Sequence, residues 1–140
     1  MTWHKPFYSN IFIVFVPPFV IFFVNLLLIF LIGGKAIEHY SIDKLLHCLG
    51  GSTICLSGLG ILWHLKDLGI VHQIDLVISY CLVFGLLCFS IICWELIEYF
   101  VGYSSELLTY ADTISDITIG LVSGITTLVV LGTIEIRSVR

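Results

Sequence analysis

Three pairs of ionisable side chains sit at helical spacing in this chain: Asp43 with His47, Glu95 with Glu98, and Asp112 with Asp116. Residues three or four apart share one face of a helix, so each pair presents two polar groups on one side. All three pairs lie at the ends of apolar stretches. The inner members, His47, Glu95 and Asp116, fall about one turn inside the apolar region by the 1.5 Å rise per residue. An ionisable group in that position costs roughly 2.5–3.5 kcal/mol on insertion scales and has to be compensated by partners.

Three arrangements would compensate five carboxylates and one imidazole gathered at one level: a divalent cation held among them, protons shared between them, or pairing with Lys35 and Lys44. Carboxylate oxygens with at most one imidazole suit Mg²⁺, Mn²⁺ or Ca²⁺. On this reading Asp43, Glu95, Glu98, Asp112 and Asp116 are the candidate metal ligands. His47, Glu95 and Asp116 are the candidate catalytic groups, with His47 suited to general-base work because its ordinary titration lies near neutrality. A metal in such a site polarises a phosphate or activates a water. Lys35 and Lys44 flank the cluster and are candidate substrate contacts, since lysine binds phosphate; the alternative is interfacial snorkelling of their long stems. The cluster also reads as a polar plug that fixes helix packing. The chain has no Glu-x-x-His element of di-iron bundles, and no P-loop, nucleophile elbow or His-Glu-x-x-His.

The elements that position these pairs follow from composition. Of 140 residues, 59% are hydrophobic and 11% charged, against about 25% charged in soluble domains. The mean hydropathy is +1.10. A soluble fold of this size exposes too much of its surface to hide that load, and about 20 apolar residues cross a bilayer. Four segments qualify, at about 11–32, 44–65, 74–100 and 114–133, and predict a single all-α domain over 1–140, an integral membrane four-helix bundle. Pro17 and Pro18 should kink the first span. The stretch after Lys5 is too long for the apolar core of a cleavable signal. Gly120 and Gly124 form a small-residue pair for close helix approach, within the chain or in a dimer. Asn25 reads as a lone interhelical hydrogen-bonding group, and Trp94, Tyr99, Tyr103 and Tyr110 as an interfacial aromatic belt. His4, His64 and His72 read as solvated or interfacial. Glu38, His39 and Glu106 are candidate outer contributors to the site. The five cysteines make no Cys-x-x-Cys pair and read as small apolar residues.

With four spans, both termini and the middle loop share one side, which carries Lys5, Lys66, Arg137 and Arg140. The other side carries Lys35 and Lys44. The excess of positive charge places the termini in the cytoplasm and the acidic cluster on the outer face. No basic run points to nucleic acid.

The segment Asp43-Lys44-Leu45-Leu46-His47 resembles the Asp-Lys-x-x-His opening of VanZ-like membrane proteins. Trp94-Glu95-Leu96-Ile97-Glu98-Tyr99 resembles the acidic end of a later helix in that family, and Asp112-Thr113-Ile114-Ser115-Asp116 with Gly120 and Gly124 resembles its last motif. The three occur in the family's order over residues 43–124. A glutamine common near the Glu98 position and an arginine before the last motif are missing here, and the glycine spacing is shifted by about one residue. The resemblance implies a small multi-pass protein of the cell inner (plasma) membrane acting near the envelope, in a family associated with resistance to glycopeptide antibiotics. It implies no particular reaction. The related Asp-x-x-x-Asp ending of CDP-alcohol phosphotransferases requires an earlier Asp-x-x-Asp-Gly that is absent.

Two functions remain open from the sequence. One is metal-dependent chemistry on a phospholipid or lipid-linked substrate. The other is a non-catalytic membrane module that binds a lipid, a glycopeptide-type drug or a partner protein, alone, as an oligomer or as one subunit of an assembly. A proton or ion pathway ranks behind both, because the charges gather at one end and leave the other half apolar.

Overall fold

A computed structural model describes residues 11–32, 42–71, 75–101 and 110–139. Among the described residues there are four helices and no strand: α1 (Ile11–Ile32), α2 (Ile42–Asp67), α3 (Leu76–Val101) and α4 (Tyr110–Val139). All four are long and apolar enough to cross a membrane. This is the architecture of a multi-pass membrane protein and agrees with the all-α four-helix expectation. Helix α1 coincides with its apolar window and α3 lies within two residues of its own, whereas α2 and α4 overrun theirs at both ends, most at α4, which begins at Tyr110 and so carries Asp112 within its first turn.

Helix α2 is the axis of the bundle and packs against all three others, while α3 and α4 also pack together. More of its span is buried than that of any other helix, and small residues explain how. A Cβ on Gly51 would overlap the backbone carbonyl of Gly120, and one on Gly124 would come within 2.5 Å of Leu87 Cδ2. Gly120 and Gly124 thus bring α4 against α2 and α3 of the same chain, since helix backbones can approach closely only without side chains between them. Below this contact Cys55, Leu59, Val83, Leu87, Ile91 and Leu128 form the apolar core. All five cysteines are free.

Backbone groups without water must find partners inside the protein. Pro18 has no N–H to give to the carbonyl of Val14, and the Ser57 hydroxyl of α2 donates to that carbonyl instead. The proline pair therefore becomes an attachment point between α1 and α2. On α4 the lipid-facing Thr118, Thr126 and Thr133 donate to the carbonyls of Ile114, Val122 and Val129 four residues back, which hides their hydroxyls. Helix α2 ends at Gly69, whose φ of 70° allows the N–H of Ile70 to reach the Leu65 carbonyl at 3.1 Å and that of Gly69 to reach Lys66 at 3.0 Å, a Schellman termination. Asp75 opens α3, its side chain 3.4 Å from the Val77 N–H.

Candidate functional site

The close α2–α4 contact places Asp43 and His47 of α2 beside Asp116 of α4, and α3 closes the third side with Glu95 and Glu98. All five are buried. Ligand atoms of Asp43, His47 and Asp116 lie within 4.8 Å of one another, as do those of His47, Glu95 and Glu98. His47 is the shared corner. Its Nε2 stands 3.5 Å from Asp43 Oδ1, 3.6 Å from Glu95 Oε1 and 3.7 Å from Glu98 Oε2.

Those separations are long for N–H···O hydrogen bonds, which cluster near 2.9–3.0 Å. Asp43 Oδ1, His47 Nε2, Glu95 Oε1 and Asp116 Oδ1 are all buried without a hydrogen-bond partner. The spacing within either group does suit ligands of one ion. At the 2.0–2.1 Å bond lengths of Mg²⁺, adjacent octahedral ligands lie about 3 Å apart and opposed ones about 4.2 Å. The groups that could hold an ion are therefore Asp43, His47, Glu95, Glu98 and Asp116.

Lys44 lies at the rim with its side chain 39% exposed, 3.2 Å from Asp112 Oδ1 and 3.8 Å from Asp116 Oδ1. This separates the two aspartates of α4. Asp116 faces the cluster, whereas Asp112 pairs with Lys44 outside both ligand groups and is not placed as a ligand. Both members of the α2 and α3 pairs are buried, not only the inner ones. Lys35, Glu38, His39, Glu106, Tyr103, His4 and His72 lie outside the described residues. His64 sits half-buried in the last turn of α2, at the opposite end of the bundle from the cluster.

Trp94 carried another reading in the sequence, while Asn25 carried the right one without its partner. Trp94 is buried rather than part of an interfacial belt; its indole N–H donates to Glu98 Oε1 at 2.6 Å, and its ring lies 5.1 Å from that of His47. The signal was its position four residues before Glu98, on the same helix face. Tyr99 and Tyr110 are exposed, as belt residues are. Asn25, fully buried, makes the interhelical hydrogen bond expected of it: its Nδ2 donates to Glu98 Oε1 of α3. It is the only polar residue of α1, and that solitude was its signal. The chain matches no family model, no curated protein and no solved structure.

Proposed function

We propose that this chain is an inner-membrane protein of the VanZ-like kind whose buried carboxylate–histidine cage binds a divalent cation, Mg²⁺, Mn²⁺ or Ca²⁺, and acts with it on the phosphate of a phospholipid or lipid-linked substrate. The observation that carries this reading is a pair of ligand groups that share His47, Asp43–His47–Asp116 and His47–Glu95–Glu98, each with its ligand atoms within 4.8 Å of one another, and four buried polar atoms among them without a hydrogen-bond partner. A buried polar atom without a partner costs about 1–3 kcal/mol, and four in one cluster call for a common partner. An ion there supplies a Lewis acid for a phosphoryl oxygen or an activated water. The chain's own residues do the rest. Asp43, Glu95, Glu98 and Asp116 provide the negative charge, His47 the one nitrogen, and Lys44 at the exposed rim a cation for an anionic headgroup.

A second reading has support of its own. Lys44 bridges α2 to α4, and Glu98 bonds α1 to α3, which is how a polar plug would tie four helices together. One experiment separates the two. Protein purified in mild detergent is assayed for metal, wild type beside Glu95→Gln/Asp116→Asn. The cation reading expects stoichiometric metal in the wild type and none in a variant that still accumulates and inserts. A metal-free wild type whose thermal midpoint ignores added Mg²⁺, Mn²⁺ and Zn²⁺ would sink it. A variant that does not accumulate identifies the plug.

A further inference from the structure

Glu98 is held unlike the other carboxylates of the cluster. Its Oε1 accepts two N–H donors, Asn25 Nδ2 from α1 and Trp94 Nε1 from one turn earlier on α3. A carboxylate oxygen has two lone pairs, so Oε1 is fully used and only Oε2 is left to face His47, 3.7 Å away. The donors are themselves seated. The Trp94 ring meets Phe22 of α1 edge-on at 5.6 Å. On its other side it lies over Gly50, where an added Cβ would come 3.0 Å from Cζ3. The amide of Asn25 can turn only one way, because a carboxylate accepts and never donates. That leaves Asn25 Oδ1 fully buried and without a hydrogen-bond partner, an acceptor beside the cluster that requires a donor.

We infer that Asn25 and Trp94 are positioning residues that fix Glu98 as a one-oxygen ligand, through Oε2, of a cation in the His47–Glu95–Glu98 group, and that Asn25 Oδ1 accepts from a water carried by that cation. This rests on the cation reading above. It adds that α1, which contributes no ligand, completes the site when it docks. Groups that orient ligands in this way typically change metal affinity by roughly 10–100-fold when removed.

The test is Mn²⁺ titration of the full chain in detergent, followed by tryptophan emission and by loss of the free Mn²⁺ resonance signal. The wild type should bind with a change in emission that Trp94→Phe abolishes. Asn25→Leu and Trp94→Phe should each weaken Mn²⁺ by roughly 10-fold or more. Asn25→Gln, which keeps an amide, should recover most of the affinity lost in Asn25→Leu. A wild type that binds no Mn²⁺ overturns the cation reading and this inference together. A wild type that binds while Asn25→Leu and Trp94→Phe bind equally well overturns the clamp alone. Should Asn25→Leu not accumulate, Asn25→Gln and Trp94→Phe decide: unchanged affinity in Trp94→Phe, or no binding in a folded Asn25→Gln, overturns the clamp.

Discussion

Lys44 is the one lysine or arginine paired with the cluster among the described residues, and its exposure sets what its ion pairs are worth. With 39% of its side chain accessible, the pair with Asp112 is that of a partly solvated salt bridge, about 0–1 kcal/mol. Its greater effect is on the charge of the cage. Removing it leaves Asp116, almost wholly buried, facing Asp43 with no fixed cation nearby. We expect Lys44→Met to lower the metal-free thermal midpoint slightly and to enlarge the midpoint rise produced by Mn²⁺, because the added ion then takes over the missing charge. Thermal melts with and without Mn²⁺ measure both effects. A smaller Mn²⁺ effect than in the wild type would place Lys44 among the groups that hold the ion's partners. At this scale the sequence was legible where charge types and spacing were enough. Asp43, His47, Glu95, Glu98 and Asp116 stood out because ionisable groups in apolar stretches have few alternatives to one another. Trp94 was assigned another environment, and the partner of the Asn25 hydrogen bond was not foreseen, because both depend on rotation about a helix and on which helices adjoin, neither of which a local pattern contains.

Between helices the decisive groups are small. Gly51 cannot carry a Cβ without displacing the Gly120 backbone carbonyl, whereas a Cβ on Gly85 meets nothing within 4 Å. The pair gives a matched test of close packing. Gly51→Ala should destabilise by about 1–3 kcal/mol, the usual range for overpacking, and should separate His47 from Asp116, lowering cation affinity as well. Gly85→Ala should be neutral or stabilise by about 0.5–1 kcal/mol from the helix preference for alanine. Unfolding in mixed micelles of graded denaturing detergent reports both, and equal effects would mean that α2 and α4 are less closely apposed than the structure has them. Ser57 makes a second test. Its hydroxyl answers the Val14 carbonyl that Pro18 leaves open, so Ser57→Ala should cost about 0.6 kcal/mol and at most about 1.7 kcal/mol, the mean and the maximum for hydrogen bonds between membrane helices. The double variant with Pro18→Ala should cost less than the sum, since the helix then supplies its own N–H. The spans were legible from length and apolar content alone. Their packing was only half so, since Gly120 and Gly124 announced a close approach while Gly50 and Gly51, on the receiving helix, had no pattern to distinguish them from other glycines.

Taken as a whole, the molecule has its polar groups sorted to the two ends of the bundle, and this sorting predicts how it sits in the membrane. The acidic cluster occupies the end formed by the start of α2, the end of α3 and the start of α4. The opposite end carries Lys66, which reaches Ser79 at 3.5 Å. Lys5, Arg137 and Arg140 belong to the same side by the count of spans. Positive loops stay in the cytoplasm because their translocation is resisted, which predicts that the cluster faces outward. Two measurements follow from that orientation. A C-terminal reporter that works only in the cytoplasm should be active, and one that works only outside should be silent. Mn²⁺ added to the outside of intact cells or right-side-out vesicles should reach the site and protect a cysteine placed at Thr113, a half-buried position three residues before Asp116 on the same helix face, from an impermeant thiol reagent. The five natural cysteines would first be replaced by serine or alanine. If the reporters reverse, the same cage opens to the cytoplasm, where millimolar Mg²⁺ is the available ion, and the substrate would be sought on the inner leaflet. If the reporters agree but externally added Mn²⁺ gives no protection, the outward orientation stands and the cage is not an ion site open to that face.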